Sequence, residues 1–312
     1  MSVSCLLGIA RNCRDLGAAS AFYRHACGCV DGEPAAPDAL LMPLLRPASE
    51  PMRARRWLWR GRQPLLLLAA PAEARPVPQA LPGNDLAFQH IAFVTDDITA
   101  EHTRWLQHGV RPISRDGPQQ LPPESGGVTA FKGYDPEGHP IELLSFPPDE
   151  GAPATRGGID HSAISVRDGT ASIAFYQDML GLDCTARQLN RGAEQDRLDD
   201  LTDTQVQVIT LAPSDTPAPH VELLAYLDPP PQAPDTPPAP GDIAADHLLF
   251  TTTALEQIVA RLGDGGHPIL ARTEDAGGVT GIATRDPDGH QLIILLAGSA
   301  GEIGNSREPT KA

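Results

Sequence analysis

No apolar run in this 312-residue chain approaches the length of roughly 18 residues that a membrane-crossing helix needs. The longest, around Leu65–Ala70, is strand-sized. The opening residues lack the basic start, apolar core and cleavage site of an export signal. Cysteine is scarce and badly spaced for metal. Of five, four fall within the first 29 residues, and Cys27-Gly-Cys29 is too tight for a finger-type ligand pair. An odd cysteine count without an export signal predicts reduced thiols in a cytoplasmic protein. Basic charge is also short. The formal net charge is −16, which argues against general nucleic-acid binding. The one basic cluster, "RARRWLWRGR" (Arg53–Arg62), alternates Trp57 and Trp59 as a strand with one covered face would.

What remains is a soluble globular composition, 41% apolar and 21% charged, with length enough for two ordinary domains. Proline-rich stretches divide the chain. "PPPQAPDTPPAP" (Pro229–Pro240) has seven prolines in twelve residues and predicts an extended linker. "PPDEGAPATRGG" (Pro147–Gly158) and "APAEARPVPQALPGND" (Ala70–Asp85) predict the same.

Four similar segments lie between these linkers. The last three open on short strands that carry a histidine: "FQHIAFVTDD" with His90, "IDHSAISVRD" with His161 and "ADHLLFTTTA" with His247. A helical stretch follows each, clearest at Thr170–Leu180, where Ile173, Phe175, Tyr176, Met179 and Leu180 form an apolar stripe. Gly109, Gly181 and the Gly265-Gly266 pair mark the predicted helix ends. Three strand candidates complete each unit, so the order β-α-β-β-β repeats. The first segment is a worn copy. Its helix "RDLGAASAFYRHACG" matches "RDGTASIAFYQDMLG", but it places Cys5 near the histidine position and no acid on its closing strand.

The closing strands differ in an informative way. "YDPEGHPIELLSF" and "RDPDGHQLIILLA" share the turn Asp-Pro-x-Gly-His, yet Glu142 in the first stands where the second has Ile293. Glu222 in "HVELLAYL" occupies the matching place of the third segment. A carboxylate between apolar neighbours is costly to bury unless it is paired or bound to a cation. Two segments therefore each offer one histidine and one glutamate to a metal ion. The turn residues Asp135, Pro136 and Gly138, and Asp286, Pro287 and Gly289, predict tight turns. His139 and His290 beside them are expected at the surface.

This repeated unit, with histidine on its first strand and glutamate on its last, resembles the vicinal oxygen chelate superfamily. That family includes glyoxalase I, extradiol dioxygenases, epimerases and antibiotic-resistance proteins. The resemblance is strong over residues 88–147 and 159–227, good over 245–297 and weak over 1–70. It implies an α+β fold of four βαβββ modules, 1–70, 86–147, 159–228 and 244–298, paired into cupped mixed sheets. It also implies one divalent metal ion (Zn, Ni, Mn, Co or Fe(II)) and a small-molecule substrate that chelates it through neighbouring oxygens.

Two pairings stay open. If modules two and three face each other, the ligands are His90, Glu142, His161 and Glu222, as in a glyoxalase-type lyase or isomerase with Glu222 as base. If modules pair in chain order, the set is His161, Glu222 and His247, suited to Fe(II) and O2. Against the second, the resemblance expects a glutamate where Ile293 stands and a catalytic tyrosine where Ala283 stands. A protein that only sequesters a small molecule is the third reading. "LNRGAEQDRLDD" (Leu189–Asp200) is a polar insertion of the kind functional loops use, in which Arg191 or Arg197 could hold an anionic group.

Overall fold

The computed structural model describes residues 2–45, 54–147, 157–213 and 218–298. Most of the Pro147–Gly158 stretch lies outside the described residues. The first segment runs β1 (Val3–Cys13), α1 (Leu16–His25), β2 (Val30–Asp31), α2 (Asp38–Leu45), β3 (Arg55–Arg60) and β4 (Gln63–Ala69). The second runs β5 (Gln89–Val94), α3 (Ile98–Gln107), β6 (Arg111–Pro112), β7 (Gln119–Gln120), β8 (Thr129–Tyr134) and β9 (Pro140–Ser145). The third is β10 (Gly158–Ser165), α4 (Gly169–Phe175) with a π-helical turn over Tyr176–Leu180, β11 (Asp183–Arg191), α5 (Ala193–Asp199), β12 (Gln205–Ala212) and β13 (His220–Asp228). The fourth is β14 (Asp246–Thr252), α6 (Leu255–Asp264), β15 (Ile269–Asp275), β16 (Gly278–Arg285) and β17 (Gln291–Leu296).

Local chemistry sets the helix limits. Asp15, Asp97 and Asp168 cap α1, α3 and α4, each side chain accepting from a backbone N–H in the first turn. Gly181 ends the α4 unit in the left-handed region at φ 72°. Helix α6 has no side-chain cap and relies on its buried stripe of Leu255, Ile258 and Leu262.

The strands form two mixed sheets. One has the order β11-β12-β13-β10-β5-β9-β8-β6, and the other β15-β16-β17-β14-β1-β4-β3-β2. Segments two and three thus share a sheet, as do one and four. At each centre two opening strands pair antiparallel, with Ala163 opposite His90 and Ala10 opposite His247. Each opening strand pairs parallel with its own closing strand, so Glu142 sits beside Ala92 and Glu222 beside Ala163. Because side chains alternate, one face of each sheet joins α1, α3, α4 and α6 in a single core. The opposite face forms a cup.

The two Asp-Pro-x-Gly-His turns lock the sheets together. Gly138 and Gly289 hold φ of 100° and 99°, and their N–H groups donate to Asp135 and Asp286. His139 and His290 are not at the surface as the sequence suggests; they are 3% and 8% exposed. His139 Nδ1 lies 3.0 Å from Asp135 and its Nε2 2.9 Å from the Ile243 carbonyl. His290 repeats this with Asp286 at 2.8 Å and the Leu86 carbonyl at 3.1 Å. All four partners are acceptors, so both rings act as two-proton donors. Burial opposes those cations, but Asp135 and Asp286 outweigh it and raise both imidazoles above their ordinary value. Tyr23 of α1 donates to Asp135 at 2.6 Å and Tyr176 donates to Asp286 at 3.1 Å. Both bonds join segments of different sheets.

Candidate metal centre and cavity

The sheet of segments two and three brings four predicted residues together. His90 Nε2 lies 3.1 Å from Glu142 Oε2 and 3.3 Å from His161 Nε2. His161 Nε2 is 3.3 Å from Glu142 Oε2 and 3.5 Å from Glu222 Oε2. Donors held about 2.0–2.2 Å from one ion stand roughly 3.0–3.5 Å apart, so the spacings among His90, Glu142 and His161 fit a shared divalent cation, and Glu222 adjoins that group through His161. The donor chemistry fits as well. Asp160 Oδ2 accepts from His161 Nδ1 at 3.0 Å, which leaves the Nε2 lone pair turned toward the cluster. His90 Nδ1 is buried and has no hydrogen-bond partner among the described residues.

Burial disfavours the Glu142 anion, but His90, His161 and Lys132 outweigh it and hold the carboxyl well below its ordinary range. Glu222 is lowered in the same way, against burial, by His161 and His220. For His90 burial wins, and the imidazole falls below its ordinary value. His161 is raised despite burial by Glu222, Asp160 and Glu142. The cluster thus sets two ionised carboxylates against a His161 ring held toward its cation and a neutral His90.

Three further residues at the site are absent from the sequence-based set. A β-bulge between Ile159 and His161 breaks the alternation, so consecutive Asp160 and His161 both line the cavity. His220 lies 3.5 Å from Glu222 on the same strand face, a signal available from period-two spacing. Lys132, the cross-strand partner of Glu142, is buried and donates to Asp199 at 2.7 Å. Burial opposes its cation, but Asp199, Glu142 and Glu222 outweigh that and raise it.

A cavity of about 310 Å³ opens above the cluster. The polar insertion supplies one wall as α5, which clamps onto segment two. The Arg197 carbonyl accepts from Arg115 N–H at 2.8 Å, and Ser114 Oγ donates to the Leu198 carbonyl at 2.9 Å. Neither arginine proposed from the sequence lines the cavity. Arg191 is exposed, and Arg197 is bonded to Gln119 and Glu194.

The sheet of segments one and four has no matching cluster among its described residues. His247 occupies the place of His90 but lies in the other sheet from His161 and Glu222, so the alternative set is not assembled. Ile293 stands for Glu142 and Leu66 for Glu222. The register places Gly8, not Cys5, at the position of His161, since Gly8 faces Leu249 as His161 faces Ala92. Cys5 instead meets Thr251 at 2.9 Å. Helix α2 fills the cup with Leu40, Leu41, Leu44 and Leu45. Burial pushes the His247 imidazole down to about 4.

Residues 158–294 match the model of the glyoxalase/bleomycin resistance protein/dioxygenase superfamily. Glyoxalase I from Zea mays superposes with a TM-score of 0.62 at 16% identity, over 93% of this chain and 92% of that one. A mutant of that enzyme gives 0.64, also at 16% identity, over 93% and 92%. A dioxygenase, so described without proof, from Bacillus subtilis gives 0.56 at 11% identity, over 95% and 86%. No curated protein matches by sequence. The family match is carried by residues 158–294, and over the whole chain the likeness to these structures is one of fold.

Proposed function

We propose that this protein is a divalent-metal-dependent lyase or isomerase of glyoxalase type. It would act on a small molecule that chelates the ion through adjacent oxygens. The observation that carries this reading is the convergence of His90, Glu142 and His161, from two segments, at 3.1–3.3 Å on the floor of a cavity, with Glu222 3.5 Å from His161. These four residues would hold the ion, whether Zn, Ni, Mn, Co or Fe(II). When bound, such an ion withdraws electrons from the chelating oxygens and acidifies the adjacent C–H.

The chain's own groups then divide the work. Glu142 is gripped by both imidazoles and is 6% exposed at its side chain. Glu222 meets one ligand histidine, is 18% exposed and stands beside His220. Glu222 is therefore the carboxylate free to move and carry the substrate proton, while Glu142 stays in place. The expected result for Glu222→Gln is retained metal by elemental analysis with turnover reduced about 10²–10⁴-fold. Unchanged turnover would remove Glu222 as base.

Fe(II) dioxygenase chemistry is the second reading, favoured by the tightest group, His90, His161 and Glu142. Two histidines and one carboxylate suit Fe(II) with positions left for O2. Under it, Glu222→Gln would spare oxygen consumption.

A further inference from the structure

Lysine is almost absent from this chain: of 24 lysines and arginines, only Lys132 and Lys311 are lysines. Lys132 is the one lysine or arginine among the described residues lining the cavity. Strand β8 sets its place. Lys132 stands directly opposite Glu142 in the antiparallel pair of β8 and β9. Opposed residues of such a pair project from one face, with Cβ atoms about 4.5–5.5 Å apart. The lysine therefore leaves the sheet beside a candidate metal ligand. The matching places in the other segments hold Thr210, Ala283 and Trp57, so the ammonium is particular to segment two.

Its surroundings leave it incompletely paired. The side chain is 6% exposed, and Nζ donates to Asp199 Oδ1 at 2.7 Å. The other two N–H groups of the ammonium meet no acceptor among the described residues. Asp199 is held in turn by Gln195 and Tyr226, which donate to its Oδ2 at 2.7 and 3.0 Å. Three donors thus share one carboxylate, and the ammonium is anchored with N–H groups to spare. Such a group is costly to bury unless something in the cavity accepts from it. Charge indicates what that acceptor is. Glu142 and Glu222, both held ionised, balance one divalent ion between them. An anionic chelator gains no net cation from that centre, and Asp160 adds negative charge to the wall. Lys132 is the cation that offsets it.

We infer that Lys132 binds the ionised oxygen of the substrate's chelating pair, so that the site favours a small chelator held as an oxyanion. The inference rests on the metal reading above. The ion would hold two adjacent oxygens, and Lys132 donates an N–H to the one that carries negative charge.

The test uses full-length protein loaded with zinc, which is redox-inert, and two probes. Acetohydroxamate presents two adjacent oxygens as an anion, whereas imidazole is a neutral ligand with one donor atom. By calorimetry, Lys132→Met should bind acetohydroxamate about ten- to a hundredfold more weakly than wild type, the scale of a hydrogen bond to a charged group. Its zinc content and its affinity for imidazole should stay unchanged. Unchanged acetohydroxamate affinity, or an equal loss for both probes, would overturn the inference. If Lys132→Met does not fold or does not hold zinc, the wild-type protein decides alone. Labelling only lysine with nitrogen-15 gives two side-chain signals, which Lys311→Arg assigns. The Lys132 signal should shift with acetohydroxamate and stay in place with imidazole. No shift with acetohydroxamate, or the same shift with both, would overturn the inference. Failure of the protein to take up zinc is a separate outcome that overturns the metal reading and this inference with it.

Discussion

His90 and His247 occupy equivalent places on opening strands, both buried, yet only His90 stands among other candidate ligands. Elemental analysis of protein purified without chelators should therefore find metal in the wild type and in His247→Ala but not in His90→Ala. Loss in His247→Ala alone would contradict the cluster proposed here. The four candidate ligands were legible because each recurs at a fixed position in a repeated strand and faces one side of the sheet. Asp160 was not legible, because alternation assigns it to the face opposite His161 and only the bulge brings both to the cavity. Lys132 was hidden for another reason. Its partner Asp199 comes from α5, and sequence carries no signal that this insertion crosses to segment two.

At the scale of elements, the first segment is packed in a way that leaves no room for a second candidate site. A Cβ on Gly8 would stand 2.4 Å from the Pro64 carbonyl oxygen, so no side chain fits where His161 stands in the other sheet. Helix α2, unforeseen in a segment read as β-α-β-β-β, lies where the other sheet keeps its cavity. Its filling role predicts that Leu41→Ala, at a fully buried position, lowers unfolding free energy by about 2–4 kcal/mol. Urea denaturation measures the loss, and metal content should not change. A neutral result would mean that α2 is not packed as described. The pairing of segments was legible only as an economy: joining two and three gathers the retained residues in one cup and the losses in the other.

Across the whole molecule, the two Asp-His clasps tie each sheet to the other through Tyr23 and Tyr176. The repeated turn was plain in the sequence, but its burial was not, since that depends on α1 and α4 packing over turns from distant segments. Burial gives the clasp a pH signature. Burial works against ionisation of Asp135, but His139, Arg11 and Tyr23 overcome it and hold the carboxyl far below its ordinary value. His139 is raised above its own. A histidine raised on folding stabilises fully below its unfolded pKa, about 6.5, and that contribution disappears as pH rises through the folded value. The depressed aspartate acts in the other direction. Its contribution is present above about 3.9 and lost as pH falls toward the folded value. The clasp is therefore strongest between these limits. His139→Gln should cost about 1–3 kcal/mol near pH 6, as expected for a buried charged hydrogen bond. The gap to wild type should narrow steadily as the pH of the denaturation series rises above neutrality. A gap that stays constant across that range would show that His139 acts in the fold as a neutral packing group, not as the cation that joins the two sheets.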